Sequence, residues 1–332
     1  MTETTKIQAA RQEYADWCSA IGIDSLEKLD EVLAEGGAVD LINLCEARQE
    51  RKYAGAADAI YWLRHRARIV MISGPSSSGK TSSALRIAMQ CKVLGAKPKV
   101  IELDNYFVPR EKTPRDENGE YDFESLGAMD IESLNSDLCA LLAGKEATIP
   151  KFDFKAGRST PGEKMHLEEG DILFMEGIHA LNPALTPSIN RRNLFRIYIS
   201  ALSALPGGEK VHHSTTDKRL LRRIVRDYRT RGISPEDNIL RWPSVRIGET
   251  RNIFPFEENA DLVFNSSTLY DIPLLRYYAE PLLYGITESS PAHAKALSLL
   301  EYMSHVRALK PSEIAVIPPT SIMREFIGGQ TL

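Results

Sequence analysis

The sequence predicts an open α/β fold built on a doubly wound parallel sheet, and three observations predict it. From Arg68 onward short apolar runs alternate with helical stretches, the order that a parallel sheet with crossover helices requires. One run, residues 69–72, leads directly into Gly74-Pro75-Ser76-Ser77-Ser78-Gly79-Lys80-Thr81 and then into a helical pattern. Two others, residues 100–103 and 172–175, stop at Asp104 and Glu176, the C-terminal strand ends where such sheets bind ligands.

In chain order, residues 1–66 read as a helical N-terminal extension. Asp24 followed by Glu27 has the capping-box pattern, Leu26, Leu29, Val32 and Leu33 mark one face, and Gly36-Gly37 stops the helix. A second helical stretch covers about 39–66. Neither carries catalytic chemistry, and packing on the main domain or on a partner is the expected role. Residues 67–310 form the main domain. In it a strand at 69–72, a helix at 80–94 and a strand at 100–103 precede a polar loop at 109–120. A helix near 131–143 follows, then strands at 172–175 and 195–199, a Gly/Pro linker, an arginine-rich helix at 216–231 and a strand at 262–265. Residues 268–284 and 291–308 read as helical, and the tail at 311–332, with its prolines, reads as an extended strap.

The eight-residue loop has the spacing of a phosphate-binding P-loop, so the fold class is that of a P-loop NTPase. Its glycines let the backbone wrap a polyphosphate, and the N–H groups at the helix start point at the anion. Gly74, Ser76, Ser77, Ser78, Gly79, Lys80, Thr81 and Ser82 are the expected nucleotide contacts, with Lys80 on the β- and γ-phosphates and the Thr81 hydroxyl on magnesium. The expected cofactors are therefore ATP and Mg2+. Asp104 suits a base that takes or orients an acceptor proton and a share in the metal; Glu176, behind Ile-Leu-Phe-Met, suits the metal. A turn cap for Asp104 and an ion pair for Glu176 are the structural alternatives.

Arg219, Arg223 and Arg226 fall at i, i+4 and i+7 on one helical face, opposite Leu220, Leu221, Ile224 and Tyr228. Such a helix can dock and present guanidiniums to a phosphoryl group as an arginine lid; a solvated basic face or an RNA-binding stripe are the other readings. A formal charge of −4 over 332 residues gives no general attraction to nucleic acid or an anionic membrane, which favours a small phosphorylated ligand.

Cys18, Cys45, Cys91 and Cys139 lie far apart without C-x-x-C pairing and are expected to be buried and reduced. No zinc spacing is present, and His212-His213 reads as surface. The polar N-terminus has no apolar h-region and no stretch has spanning length, so a cytoplasmic location away from the membrane is expected. Phe326-Ile-Gly-Gly-Gln330 superficially resembles a transporter-ATPase signature but lies at the extreme C-terminus, and it is set aside. No Asn-Lys-x-Asp guanine motif is found.

The ordered motifs resemble those of the uridine/cytidine kinase and phosphoribulokinase family: GPSSSGKTS at 74–82, IELDNYF at 101–107, YDFESLGAMD at 121–130 and IPKFDF at 149–154. ILFMEGIHAL at 172–181, RLLRRIVRDYRTRG at 219–232 and ENADLVFNSS at 258–267 continue the match. The loop wording is most similar to a bacterial uridine-kinase-like subgroup often fused to threonyl-tRNA-synthetase-like domains. The resemblance implies Asp104 as catalytic base beside Lys80, Glu176 as magnesium-associated carboxylate, and Arg223, Arg226 and Arg231 as lid arginines, Arg226 catalytic and Arg223 on the nucleotide. It also implies Glu124 on ribose hydroxyls, with Phe107, Phe123, Phe154 and Ile178 around the acceptor and Arg231 contacting it.

The implied reaction is ATP-dependent phosphorylation of a nucleoside 5′-OH, uridine or cytidine first. A kinase for another polyol or sugar phosphate, and a noncatalytic ATP-binding regulatory or RNA-linked protein, are the alternatives. Relatives often form dimers or tetramers, so a homo-oligomer is open. Departures fall on the acceptor side: Phe107 replaces a usual Tyr, Ser125-Leu126 a His-Pro, and Gly157 a base-reading His for which His179 is a candidate substitute.

Overall fold

The computed structural model describes residues 5–115, 119–203, 205 and 215–332. His212-His213 and most of the Gly/Pro linker lie outside the described residues. Three helices open the chain, α1 (Lys6–Ala20), α2 (Leu26–Ala34) and α3 (Ala38–Leu63). Thr5 and Gln8 close a capping box on α1. On α2 the cap is Ser25, whose hydroxyl accepts from the Lys28 N–H, so the expected Asp24/Glu27 box does not form and a single serine cap one residue later takes its place. Gly36, at φ +90°, ends α2 in the left-handed conformation open to glycine.

The sheet begins with β1 (Ile69–Ser73), and α4 (Lys80–Val93) leads to β2 (Lys97–Glu102). After the loop come α5 (Ile131–Leu142), β3 (Ala147–Asp153), β4 (Arg158–Met165), β5 (Asp171–Glu176) and β6 (Leu194–Ser200). Next are α6 (Thr215–Arg231), α7 (Pro235–Asn252), β7 (Leu262–Asn265), α8 (Asp271–Tyr284) and α9 (His293–Ser304), then the short α10 (Pro311–Ile314) and α11 (Arg324–Ile327). The main sheet is parallel throughout, in the order β2-β5-β1-β6-β7. β1 sits at its centre with all residues buried, which is why it reads as a continuous apolar run rather than an alternating one. The register pairs Ile72 and Glu102 with Glu176, so the ends of β1, β2 and β5 meet at one edge.

Apolar side chains from α1–α3, among them Tyr14, Leu29, Leu33 and Ile42, share one core with α6, α8, α9 and the tail. The tail is not an extended strap. It makes two helical turns and buries Ile314, Ile317, Ile322, Met323, Phe326 and Ile327, because its apolar residues outweigh its prolines. β3 and β4 form a separate antiparallel hairpin that the sequence reading did not anticipate. Cys18, Cys45 and Cys91 are buried as expected, but Cys139 is exposed on the outer face of α5.

Candidate active site

The phosphate loop joins β1 to α4 at the C-terminal edge of the sheet. A Cβ on Gly74 would lie 2.0 Å from the Ile199 carbonyl, so only glycine lets the loop pass β6. Ser77 (φ +57°) and Gly79 (φ +85°) adopt left-handed conformations that turn successive amides into one concavity. The Ser77 and Ser78 hydroxyls are buried there without a hydrogen-bond partner. Such a cradle suits an anion, and α4 adds the positive end of its dipole.

The loop is braced from behind. Ser76 N–H donates to Glu249 (3.0 Å) and its carbonyl accepts from Arg219 (2.9 Å). Arg219 grips Glu249 in a bidentate pair, and Arg246 adds a bond of 2.8 Å. Arg219 and Glu249 are each 1% exposed, so the expectation that Arg219 faces an anion is corrected: its charge is spent inside the fold. Arg223 does reach the loop, donating to the Ser76 hydroxyl at 3.0 Å. Asp227, fully buried, lies 3.4 Å from Arg223, 2.8 Å from Arg226 and 3.5 Å from Arg231, and so gathers these three arginines around one carboxylate.

Carboxylates stand opposite. The Thr81 hydroxyl donates to Glu176 at 2.9 Å. Burial pushes Glu176 up to about 7, against the pull of Lys80 and of the Thr81 bond. Burial likewise raises Asp104 above the ordinary carboxylate range, while Lys80 and Arg231 draw it down. Glu124 is raised to about 7 by burial and by Glu249, with Lys80 and Arg223 opposing. It approaches α7 so closely that a Cβ on Gly248 would lie 2.9 Å from its own. Lys80 is thus in electrostatic reach of Asp104, Glu124 and Glu176, with Arg231 acting on Asp104 and Arg223 on Glu124, although these six residues come from five separate stretches of chain.

Hard oxygen donors at Thr81, Glu176 and Asp104, the two carboxyls both raised by desolvation, suit a divalent cation such as magnesium. Among the described residues no group of three or more His, Cys, Asp or Glu forms a closed metal cage. Magnesium keeps waters and substrate phosphates in its shell, so an open set of protein ligands is what it needs.

The acceptor side is looser. Phe107 packs edge-on to Phe152 (5.7 Å) and Phe154 (6.4 Å), while Phe123 stands apart beside Tyr121 (5.9 Å). Phe123 and Phe154 are 46% and 58% exposed, and Ile178 packs near Leu181 and Tyr198. Gly157 has φ +65° at the hairpin turn, and a Cβ there would lie 2.9 Å from Arg110 Cβ and 3.0 Å from its Nε. A histidine there would be strained by the left-handed backbone and would crowd the Arg110 side chain, whose guanidinium lies beside the position. His179 is 2% exposed, and burial lowers it to about 4, so it is a neutral packed imidazole at neutral pH.

The profile of the phosphoribulokinase / uridine kinase family matches residues 69–273, more than half of the chain. The chain belongs to this family. It is 30% identical over 199 residues to a uridine kinase of Macrococcus caseolyticus, covering 59% of this chain and 86% of that one. With the uridine kinase of Saccharomyces cerevisiae it shares 28% identity over 205 residues, which are 60% of this chain but only 36% of the yeast protein. Among solved structures it is similar to a possible uridine kinase from Bacillus stearothermophilus, with a TM-score of 0.41 and 18% identity over 64% of this chain and 98% of that one.

The phosphoribulokinase / uridine kinase segment runs from β1 into α8 and contains every site residue named so far. It also contains Asp227 and Glu249, which sequence reasoning missed. Asp227 was legible as an acid set among the arginines of α6, beyond the first-turn Asp217; Glu249 was not, because α7 was not anticipated. Its signal was Ser234-Pro235-Glu236-Asp237, with Ser234 capping the Asp237 N–H and proline in the first turn. No helix among the described residues is long and apolar enough to cross a membrane.

Proposed function

We propose that this protein is an ATP-dependent phosphotransferase that phosphorylates a hydroxyl of a nucleoside, the 5′-OH of uridine or cytidine being the first candidate. The observation that carries this reading is the convergence of Asp104 and Glu124, both partly buried carboxyls, on Lys80 at the mouth of the phosphate loop. A phosphate binder alone has no need of two carboxylates beside its lysine.

The loop amides and Lys80 hold the β- and γ-phosphates of ATP. Magnesium, when bound beside Thr81 and Glu176, supplies the positive charge that offsets the phosphate oxygens. Asp104 accepts the proton of the acceptor hydroxyl; burial makes it a stronger base than an exposed aspartate, with Lys80 pulling the other way. The acceptor oxygen forms the new bond to the γ-phosphorus, the bond from that phosphorus to the β,γ-bridging oxygen breaks, and ADP leaves with the electron pair. Glu124 accepts hydrogen bonds from the sugar hydroxyls, which fixes the angle of attack. Arg223, Arg226 and Arg231, held together by Asp227, stabilise charge on the transferring group, and Phe107, Phe123 and Phe154 flank the acceptor.

A second reading keeps the reaction and changes the acceptor. The Arg110 guanidinium, beside Gly157 and bonded to the Phe154 carbonyl, supports this reading, because a cation next to Phe154 would favour a polyol carrying an anionic group, such as a sugar phosphate. ADP release measured with uridine, cytidine, purine nucleosides, ribulose 5-phosphate and free sugars separates the two. Stimulation by a pyrimidine nucleoside supports the first, stimulation by a sugar phosphate the second, and no stimulation by any acceptor contradicts both.

A further inference from the structure

The tail that the family segment leaves out reaches the phosphate loop. Ser82, at the first turn of α4, is 1% exposed because α11 and the residues after it cover it. Its hydroxyl donates to the Glu325 carboxylate at 2.5 Å and accepts from the Gln330 amide at 2.7 Å. Its backbone N–H points to the same Glu325 oxygen at 3.4 Å. Ser82 therefore has neither a hydroxyl proton nor a free amide to offer a phosphate.

A carboxylate at this place has the chemistry of the anion the cradle is shaped for: negative oxygens against N–H donors at the positive end of a helix. We propose that Glu325 sets donor affinity by occupying the Ser82 position of the phosphate site, so that the phosphates of a nucleotide bind only by displacing its carboxylate. This rests on the nucleotide-binding reading above and adds to it a residue outside the family segment.

The side chain moves, and the tail stays. Ile322 lies against Gly79 so tightly that a Cβ there would be 2.3 Å from Ile322 Cδ1. Phe326 is buried with the Arg222 guanidinium 5.0 Å from its ring, and its carbonyl accepts from Arg229 at 3.3 Å. Ser321 is held by Glu46 of α3 at 2.8 Å and by Tyr270 at 3.0 Å. Peeling such a segment away would expose several large apolar side chains, whereas turning one glutamate exposes none. The Glu325 charge also acts on Arg231, which gives the displaced carboxylate a favourable field to turn toward.

The test is fluorescence titration of the full chain with ADP, pyrophosphate and adenosine, in the wild type, Glu325→Gln, Glu325→Asp and Lys80→Ala. Glu325→Gln keeps shape and a hydrogen-bond acceptor while removing charge, and it should tighten ADP and pyrophosphate roughly 2- to 30-fold, the span of charge effects at helix N-termini. Adenosine, which carries no phosphate, should bind equally to both. In turnover the KM for ATP should fall with kcat unchanged, a split that loss of a merely structural contact does not produce. Glu325→Asp, which withdraws the charge, should tighten ADP less, and it serves if the glutamine variant folds poorly. Lys80-dependent ADP binding that is unchanged or weakened in Glu325→Gln overturns this proposal alone. No ADP binding by any variant overturns the nucleotide reading and this proposal with it.

Discussion

The donor and acceptor halves of the candidate site are built in opposite ways. On the donor side the phosphate loop is clamped by Arg219 and Glu249, both buried, and Arg223, Arg226 and Arg231 are tied to the buried Asp227. On the acceptor side Phe123 and Phe154 are 46% and 58% exposed. The hairpin β3–β4 is held to the segment after β2 by hydrogen bonds at mostly exposed positions, among them the Arg110 N–H to the Gly157 carbonyl at 2.8 Å and the Ser159 hydroxyl to the Phe107 carbonyl at 3.3 Å. Asn105 accepts from the Phe152 N–H at 3.2 Å, and the Ser159 hydroxyl reaches the Asn105 carbonyl at 3.4 Å. Rigid placement suits a polyphosphate whose geometry never varies; a loosely held rim suits a surface that closes on its acceptor and can change acceptor by loop substitution.

The sharpest way to break this contrast is to cut the clamp. Replacing Glu249 with Gln leaves Arg219 as an uncompensated buried charge, and such losses cost about 3–5 kcal/mol. Urea unfolding should report that loss together with weaker ADP binding; a loss below about 1 kcal/mol would mean the loop does not depend on its brace.

A smaller effect concerns pH. Glu124 and Glu176 stand near 7 in the folded chain against an ordinary 4.5, so the native state holds more protons than the unfolded one between those values. Stability without magnesium should therefore fall as pH rises from about 4.5 to about 7. Glu124→Gln should flatten the slope, and millimolar magnesium should offset part of it by binding the ionised Glu176. Melting temperatures across that range decide; a Glu124→Gln profile identical to wild type would remove the buried-carboxyl account.

The smallest effect is expected at the rim. Phe154→Ala should leave stability within about 0.5 kcal/mol, since the ring is mostly in solvent. It should raise the acceptor KM roughly 2- to 10-fold, as expected for loss of one aromatic contact, with the ATP KM unchanged. An equal rise in both would erase the division into halves.

What could be read from the sequence follows the same division. β1, β5 and β6 were legible because strands buried on both faces must be continuous apolar runs. Glu176 was legible because it ends such a run; Asp104 follows the apolar residues 100–103, although the structure ends the edge strand β2 at Glu102 and sets Asp104 in the 3-10 turn Leu103–Tyr106. The hairpin was not: β4, Arg158–Met165, is largely exposed and reads Arg-Ser-Thr-Pro-Gly-Glu-Lys-Met, without the alternation that signals a half-buried strand. Arg219 was placed on the ligand face by helical spacing, which cannot tell a guanidinium paired inside from one turned outward. The tail was misread because its prolines are local signals, whereas the burial of Ile322 and Phe326 depends on helices far away in sequence.

The central claim, that Asp104 works on the acceptor at a donor site formed without it, is tested most directly by Asp104→Asn. ADP affinity and acceptor-stimulated ADP release would be measured on the same preparation. The account predicts donor binding within about 3-fold of wild type and turnover lowered at least about 10²-fold. Unchanged turnover, or donor binding lost together with turnover, would contradict it.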